Sequence, residues 1–226
     1  MIAGLFLASA LISCGGDDNS SPNSRVTIAG VTIAPSPTPD LTGFSYPIAG
    51  ACLPSSDNLM PNAPREYRQG IHEGIDFYDS DNCVLIGMDT EVLAAKEGKV
   101  IRADLNYHDL TAEELAEIDE RIAAKGQCDE EALDVFRGRQ VWIDHGGGVV
   151  TRYAHLGRIA DGIRTGVSVK AGDLIGYVGN SGTPESIDNP MSEMHLHFEI
   201  RVREDYLGKG LSPQECRALY EKAFAP

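Results

Sequence analysis

The sequence predicts a mainly β fold: a compact antiparallel β-sheet or sandwich domain with a helical insertion and a C-terminal helix. Three observations predict it. Short runs rich in Val, Ile, Tyr and Phe recur between clusters of Gly, Asn and Asp from residue 74 to residue 202. A single stretch, residues 104–139, changes to helical periodicity. Near the end, Ser212-Pro213-Gln214-Glu215 places an N-cap, a proline at the first helical position and a Glu at the third.

Taken in order, the expected strands are Gly74 to Tyr78, Glu91 to Ala95, Gly98 to Arg102, Gln140 to His145, Val149 to His155, Leu174 to Val178 and Met194 to Val202. Within the insertion, Thr111 and Glu114 form a capping box, Leu115, Ile118 and Ile122 share one face, and Gly126 stands at the C-cap. A second short helix is expected from Asp129 to Phe136. The insertion holds 11 acidic and 4 basic residues. Its default reading is a solvated face, with a docking surface for a protein partner as the alternative. In the C-terminal helix, Cys216, Leu219 and Tyr220 can face the body.

Composition narrows the function. In 226 residues, 34 Asp and Glu outnumber 19 Lys and Arg, and the net charge is −15. No nucleic-acid footprint is expected. The 42% hydrophobic content suffices for a core. No apolar run approaches the roughly 20 residues that a transmembrane helix needs.

Residues 1–13 (MIAGLFLASALIS) look like the apolar region of an export signal. Leu11-Ile12-Ser13-Cys14 resembles the lipobox of bacterial lipoproteins, in which Cys14 would be lipidated. Residues 14–43, rich in Gly, Ser and Asn and then carrying Pro35, Pro37 and Pro39, read as a flexible tether, leaving residues 44–226 as the domain. The expected location is the periplasmic face of an outer membrane, with the cell surface as the alternative, and membrane contact through the lipid only. Apart from Cys14, four cysteines remain in an exported chain, which makes two disulfides plausible. Three connectivities exist, and the favoured one joins Cys52 to Cys83 and Cys128 to Cys216.

The chemistry sits on histidines. In His195-Leu196-His197-Phe198-Glu199-Ile200 the strand period sends His195, His197 and Glu199 to one face and the apolar residues to the other. Two imidazoles so spaced serve as two metal ligands, or as one ligand beside a catalytic base. His72-Glu73-Gly74-Ile75-Asp76 begins like a helical zinc-protease motif, but Gly74 and the β-type residues after it favour an extended chain. There His72 and Asp76 share a face and can reach one ion. With His197 they offer two nitrogens and one carboxylate oxygen, a set suited to one Zn²⁺ with an open fourth position. His155, at the end of a strand after the turn Gly146-Gly147-Gly148, can lean over the same groove. His145 reads as structural, and Tyr153 as a core tyrosine with a positioning role as the alternative.

Ordered along the chain, FSYPIAG (Phe44 to Gly50), HEGIDF (His72 to Phe77), EVLAAKEGKV (Glu91 to Val100), DHGGGVVTRYAHL (Asp144 to Leu156), VKAGDLIGYVGNSG (Val169 to Gly182) and HLHFEI (His195 to Ile200) resemble the lysostaphin-like, LytM-type zinc peptidoglycan endopeptidases. The resemblance implies zinc on His72, Asp76 and His197, with His155 and His195 as the catalytic pair. It implies peptidoglycan peptide stems as substrate and hydrolysis of their cross-links as the activity. Its alternatives are a non-catalytic activator of cell-wall amidases and an endopeptidase acting on exported proteins. Two departures, the insertion and an expanded loop from Thr183 to Glu193, are expected to border the groove.

Overall fold

The computed structural model describes residues 39–225, together with the backbone of Val26–Ile28 and Val31–Ile33. The chain divides into two compact units, residues 1–37 and 38–226. In the first, Val26–Ile28 and Val31–Ile33 pair antiparallel within the expected tether. Residues 1–13, the expected export signal, and Cys14 lie outside the described residues. Among the described residues no helix is long and apolar enough to cross a membrane.

The second unit is built on antiparallel sheets. Its main strands are β1 (Ile75–Tyr78), β2 (Glu91–Leu93), β3 (Gly98–Ala103), β4 (Val141–Gly146), β5 (Val149–Ala154), β6 (Leu156–Ile159), β7 (Leu174–Val178) and β8 (His195–Val202). Each expected strand is present with its ends moved by at most two residues, because alternation in half-buried strands is a strong signal. In the larger sheet β3, β4, β5 and β8 are neighbours in that order, and β8 also pairs with β1. A second sheet runs β6, β7, β2. Between the sheets lies the core, where Val92, Val100, Ile143, Tyr153, Leu196, Phe198 and Ile200 are fully buried. Tyr153 is therefore a core residue, and its hydroxyl accepts from the Ala95 N–H at 2.8 Å.

Helix α1 (Ala112–Lys125) has the expected capping box: Thr111 Oγ1 accepts from the Glu114 N–H at 3.2 Å, and Glu114 accepts from the Thr111 N–H at 2.9 Å. Ile118 and Ile122 face a small separate core shared with Ala132 and Phe136 of α2 (Glu130–Phe136). The acidic residues of α1 face outward, and Arg121 and Lys125 bridge to Asp129. Helix α3 (Pro213–Ala223) begins at the Ser212 cap and buries Cys216 and Tyr220.

The cysteines correct half of the expected pairing. Cys52 and Cys83 are bonded across a sequence separation of 31. Cys128 and Cys216 are free thiols. Cys128 stands at the foot of α2, its sulfur 3.6 Å from the Asp129 carbonyl, while Cys216 is enclosed beneath Gly208 and accepts from Asn62 Nδ2 at 3.3 Å. Spacing alone could not reveal that these elements pack into different surroundings. Reduction of the Cys52–Cys83 bond is expected to cost about 3–4 kcal/mol from loop entropy. Denaturant titration with and without reductant checks this, the Cys52→Ala/Cys83→Ala chain serving as control.

Candidate metal centre and catalytic groove

Strand β8 lies between β1 and β5, and its register sets His197 opposite Asp76 on one side and opposite Ala154 on the other. Cross-strand neighbours share a face, so Asp76 and His197 meet without any loop to place them. His72 enters from the end of the short hairpin Pro64–Arg65/Gly70–Ile71. His72 Nε2 is 2.9 Å from Asp76 Oδ1 and 3.0 Å from His197 Nδ1, and His197 Nδ1 is 2.8 Å from Asp76 Oδ1. All three residues are buried.

Outer partners set the tautomers. The other nitrogen of His72, Nδ1, lies 2.9 Å from the Met60 carbonyl and donates to it. Burial pulls the His72 pKa down to about 4, so the ring holds one proton, which is committed to Met60, and Nε2 is bare. His197 Nε2 donates to Glu199 Oε1 at 3.0 Å, leaving Nδ1 for the centre. Burial disfavours charge on His197, but Asp76 and Glu199 outweigh it and raise its pKa. Burial likewise opposes the Asp76 charge, yet His72 and His197 hold its carboxyl well below the usual range. Once the His197 ring gives up its second proton, two nitrogen lone pairs and a carboxylate oxygen converge on one point, an arrangement suited to a cation. Ligands of a tetrahedral zinc stand about 3.3 Å apart, so these atoms need to part by only a few tenths of an ångström. The residues fit zinc.

Both remaining histidines flank that point. His195 Nε2 lies 3.9 Å from Asp76 Oδ1, its Nδ1 donates to the Glu193 carbonyl at 2.7 Å, and its ring stacks on Tyr78 at 4.3 Å. His155 has φ 57°, a left-handed conformation at the break between β5 and β6. That conformation is uncommon for a residue other than glycine, and it turns the ring into the groove. His155 Nδ1 donates to the Ser181 carbonyl at 2.9 Å, and the His155 and His195 ring centroids are 4.5 Å apart. Burial lowers the pKa of both rings, and for His155 the neighbouring histidines lower it further. Each is neutral near pH 7 and presents a bare Nε2. His145, by contrast, bonds the Glu97 carbonyl and Thr151 and stands apart as a structural residue.

Sequence reasoning missed the layer beneath. Glu199 is fully buried, and Arg137 Nε donates to its Oε1 at 2.7 Å. Arg137, 2% exposed, also bridges to Glu73 at 2.9 Å and Glu130 at 3.0 Å. Burial opposes charge on Glu199, yet Arg137 outweighs it and holds the carboxyl ionised. The polar face of β8 is therefore buried under arginines, and the insertion supplies the central one. Arg65 Nη2, from the hairpin, bonds the second oxygen of Asp76 at 2.8 Å, leaving Oδ1 as the single ligand oxygen. The period of two already put Glu199 on the ligand face. Nothing local to residue 137 marks it.

Two glycines allow the close approach. A Cβ at Gly74 would lie 2.4 Å from the Phe198 carbonyl oxygen and 2.9 Å from His197 Cε1. Gly138, with φ 65°, lies against the Ser181 carbonyl that holds His155. Gly74→Ala is expected to lower zinc affinity at least about 10-fold by displacing His197, with stability reduced by about 1–3 kcal/mol. Competition with a chelating dye, alongside thermal unfolding, checks it.

The centre opens into a groove of about 680 Å³. Leu133, Phe136 and Arg137 of the insertion form one wall, and Thr183, Glu185 and Glu193 of the expanded loop another, so both departures border it as expected.

Fold and donor set together define a class: mainly β proteins with a His, Asp, His metal centre and a histidine pair beside it in a groove. Residues 70–209 match Peptidase family M23, and the chain belongs to that family. Over 80 residues, 35% of this chain and 16% of the relative, it is 34% identical to the peptidoglycan DD-endopeptidase ShyC of Vibrio cholerae. Over 68 residues, 30% of this chain and 14% of the relative, it is 38% identical to the peptidoglycan DD-endopeptidase ShyA of the same organism. These matches thus span less than a fifth of either relative. Among solved structures, a zinc containing peptidase from Vibrio cholerae is similar at a TM-score of 0.45 and 23% identity, covering 73% of this chain and 38% of that one.

Proposed function

We propose that this chain is a zinc-dependent endopeptidase that hydrolyses peptide cross-links of bacterial peptidoglycan. The observation that carries the reading is the convergence of His72, Asp76 and His197 on one point, with the bare nitrogens of His155 and His195 facing the same groove. Zinc bound there supplies Lewis acidity and a water of lowered pKa. His195 takes the proton of the attacking water through Nε2, because its Nδ1 proton is committed to Glu193. It then returns that proton to the leaving amine. His155, whose Nδ1 proton is likewise committed, to Ser181, turns its bare Nε2 to the same groove, where it accepts a hydrogen bond from the attacking water and orients it. Neither role needs a serine or cysteine nucleophile. Family membership and the peptidoglycan DD-endopeptidase activity of the two Vibrio cholerae relatives support the substrate class, and the D-Ala to diaminopimelate bond is the proposed target.

The reading extends to location. The lipobox-like Leu11-Ile12-Ser13-Cys14, with Gly15 after it, supports an exported protein anchored through lipid on Cys14 at an outer membrane. Incorporation of labelled palmitate, lost in Cys14→Ala, tests the anchor. The activity test offers zinc-loaded protein two substrates, purified sacculi and an unfolded protein. Release of cleaved muropeptides that stops with chelator and returns with zinc supports the proposal. Cleavage of the protein alone transfers the activity to exported proteins. Zinc binding without cleavage of either replaces it with the amidase-activator role, and the exposed acidic face of α1 is then the surface to probe for a protein partner.

A further inference from the structure

We propose that Arg68 is a carboxylate-binding subsite of the groove, which selects cross-link peptides carrying a free carboxylate beside the scissile amide. The inference rests on the peptidase reading above and specifies its substrate.

Arg68 closes the 3-10 turn Glu66–Arg68 of the hairpin that leads into His72, and it lines the same groove as the metal ligands. It is 4% exposed. Its Nη2 donates to the Ile71 carbonyl at 3.0 Å, and its guanidinium carbon lies 5.9 Å from the Tyr67 ring centroid. The buried Nε has no acceptor. The other two arginines of the groove are committed: Arg65 to Asp76, and Arg137 to Glu73, Glu130 and Glu199. Among the described residues no carboxylate pairs with Arg68. The Cys128 thiol and the Tyr67 hydroxyl hydrogen-bond the guanidinium but supply no counter-charge, since burial raises the pKa of both.

A buried guanidinium whose Nε lacks an acceptor and whose other partners are all neutral is costly to keep. The missing partner is one that arrives with the substrate. A guanidinium matches a carboxylate with two parallel N–H donors, and in a site shut off from water such a pair is strong. The acidic residues on the facing loop, Glu185 and Glu193, are exposed and would repel a carboxylate from that side. A substrate carboxylate is thereby directed to Arg68.

Two synthetic cross-linked stem peptides test this, identical except that the carboxylate beside the scissile amide is free in one and a primary amide in the other. With wild-type protein, kcat/KM is expected to be about 10- to 100-fold higher for the free carboxylate. Arg68→Gln should bring the ratio to about one at unchanged zinc content, and Arg68→Lys, which keeps the charge without the fork, should give an intermediate ratio. Equilibrium binding of both peptides to chelator-treated protein should show the same preference. Equal hydrolysis of the two peptides by wild type overturns the subsite and leaves the peptidase reading standing. So does a preference that survives Arg68→Gln. Hydrolysis of neither peptide overturns both.

Discussion

If the proposed function holds, His197→Ala is expected to remove the metal and all muropeptide release, whereas His195→Ala is expected to keep about one zinc per chain and lose about 10²- to 10⁴-fold in turnover. The two residues stand two apart on one strand and are both buried, so packing does not tell them apart. Their partners do. His197 presents Nδ1 to the His72 and Asp76 donor atoms at 3.0 and 2.8 Å, while the free nitrogen of His195 stays 3.9 Å from the Asp76 oxygen. Metal content measured beside muropeptide release decides the matter. Loss of zinc in both variants would make His195 a ligand and undo the division of roles.

The second large effect is expected at Arg137. In Arg137→Met, Glu199 stays fully buried with its nearest counter-charge removed, and Arg201, 3.2 Å from its other oxygen, compensates only in part. The expected cost is about 3 kcal/mol of stability, toward the lower end for breaking a buried pair. Zinc affinity should also fall about 10- to 100-fold, because Glu199 fixes the His197 tautomer that frees Nδ1. Adding Glu199→Gln removes the stranded charge but keeps a carbonyl oxygen for His197. The double variant should therefore recover stability and most of the affinity. Failure to recover either would make Arg137 a packing residue of the insertion and nothing more.

Much of this was legible in one dimension. Alternation in His195 to Ile200 placed three polar side chains on one face, and the capping residues Thr111 and Ser212 marked two helix starts, because strand period and helix caps are local properties of a few consecutive residues. Three kinds of feature escaped it. The conformation of His155 depends on carbonyls from residues 137 and 181. The Cys128 and Cys216 thiols are kept apart by packing. The uncompensated charge of Arg68 is defined by the carboxylates that do not reach it.

The sequence by itself determined the strands, the helical insertion, and the histidines and aspartate of the centre, because periodicity and residue type are written in neighbouring positions. Only the tertiary structure decided which nitrogen of each imidazole is bare, that the insertion drives Arg137 under β8, and which groove arginine has no carboxylate partner among the described residues. Those outcomes depend on contacts between residues such as Arg137 and Glu199, or His72 and His197, 62 and 125 positions apart, and such distances close only when the chain folds.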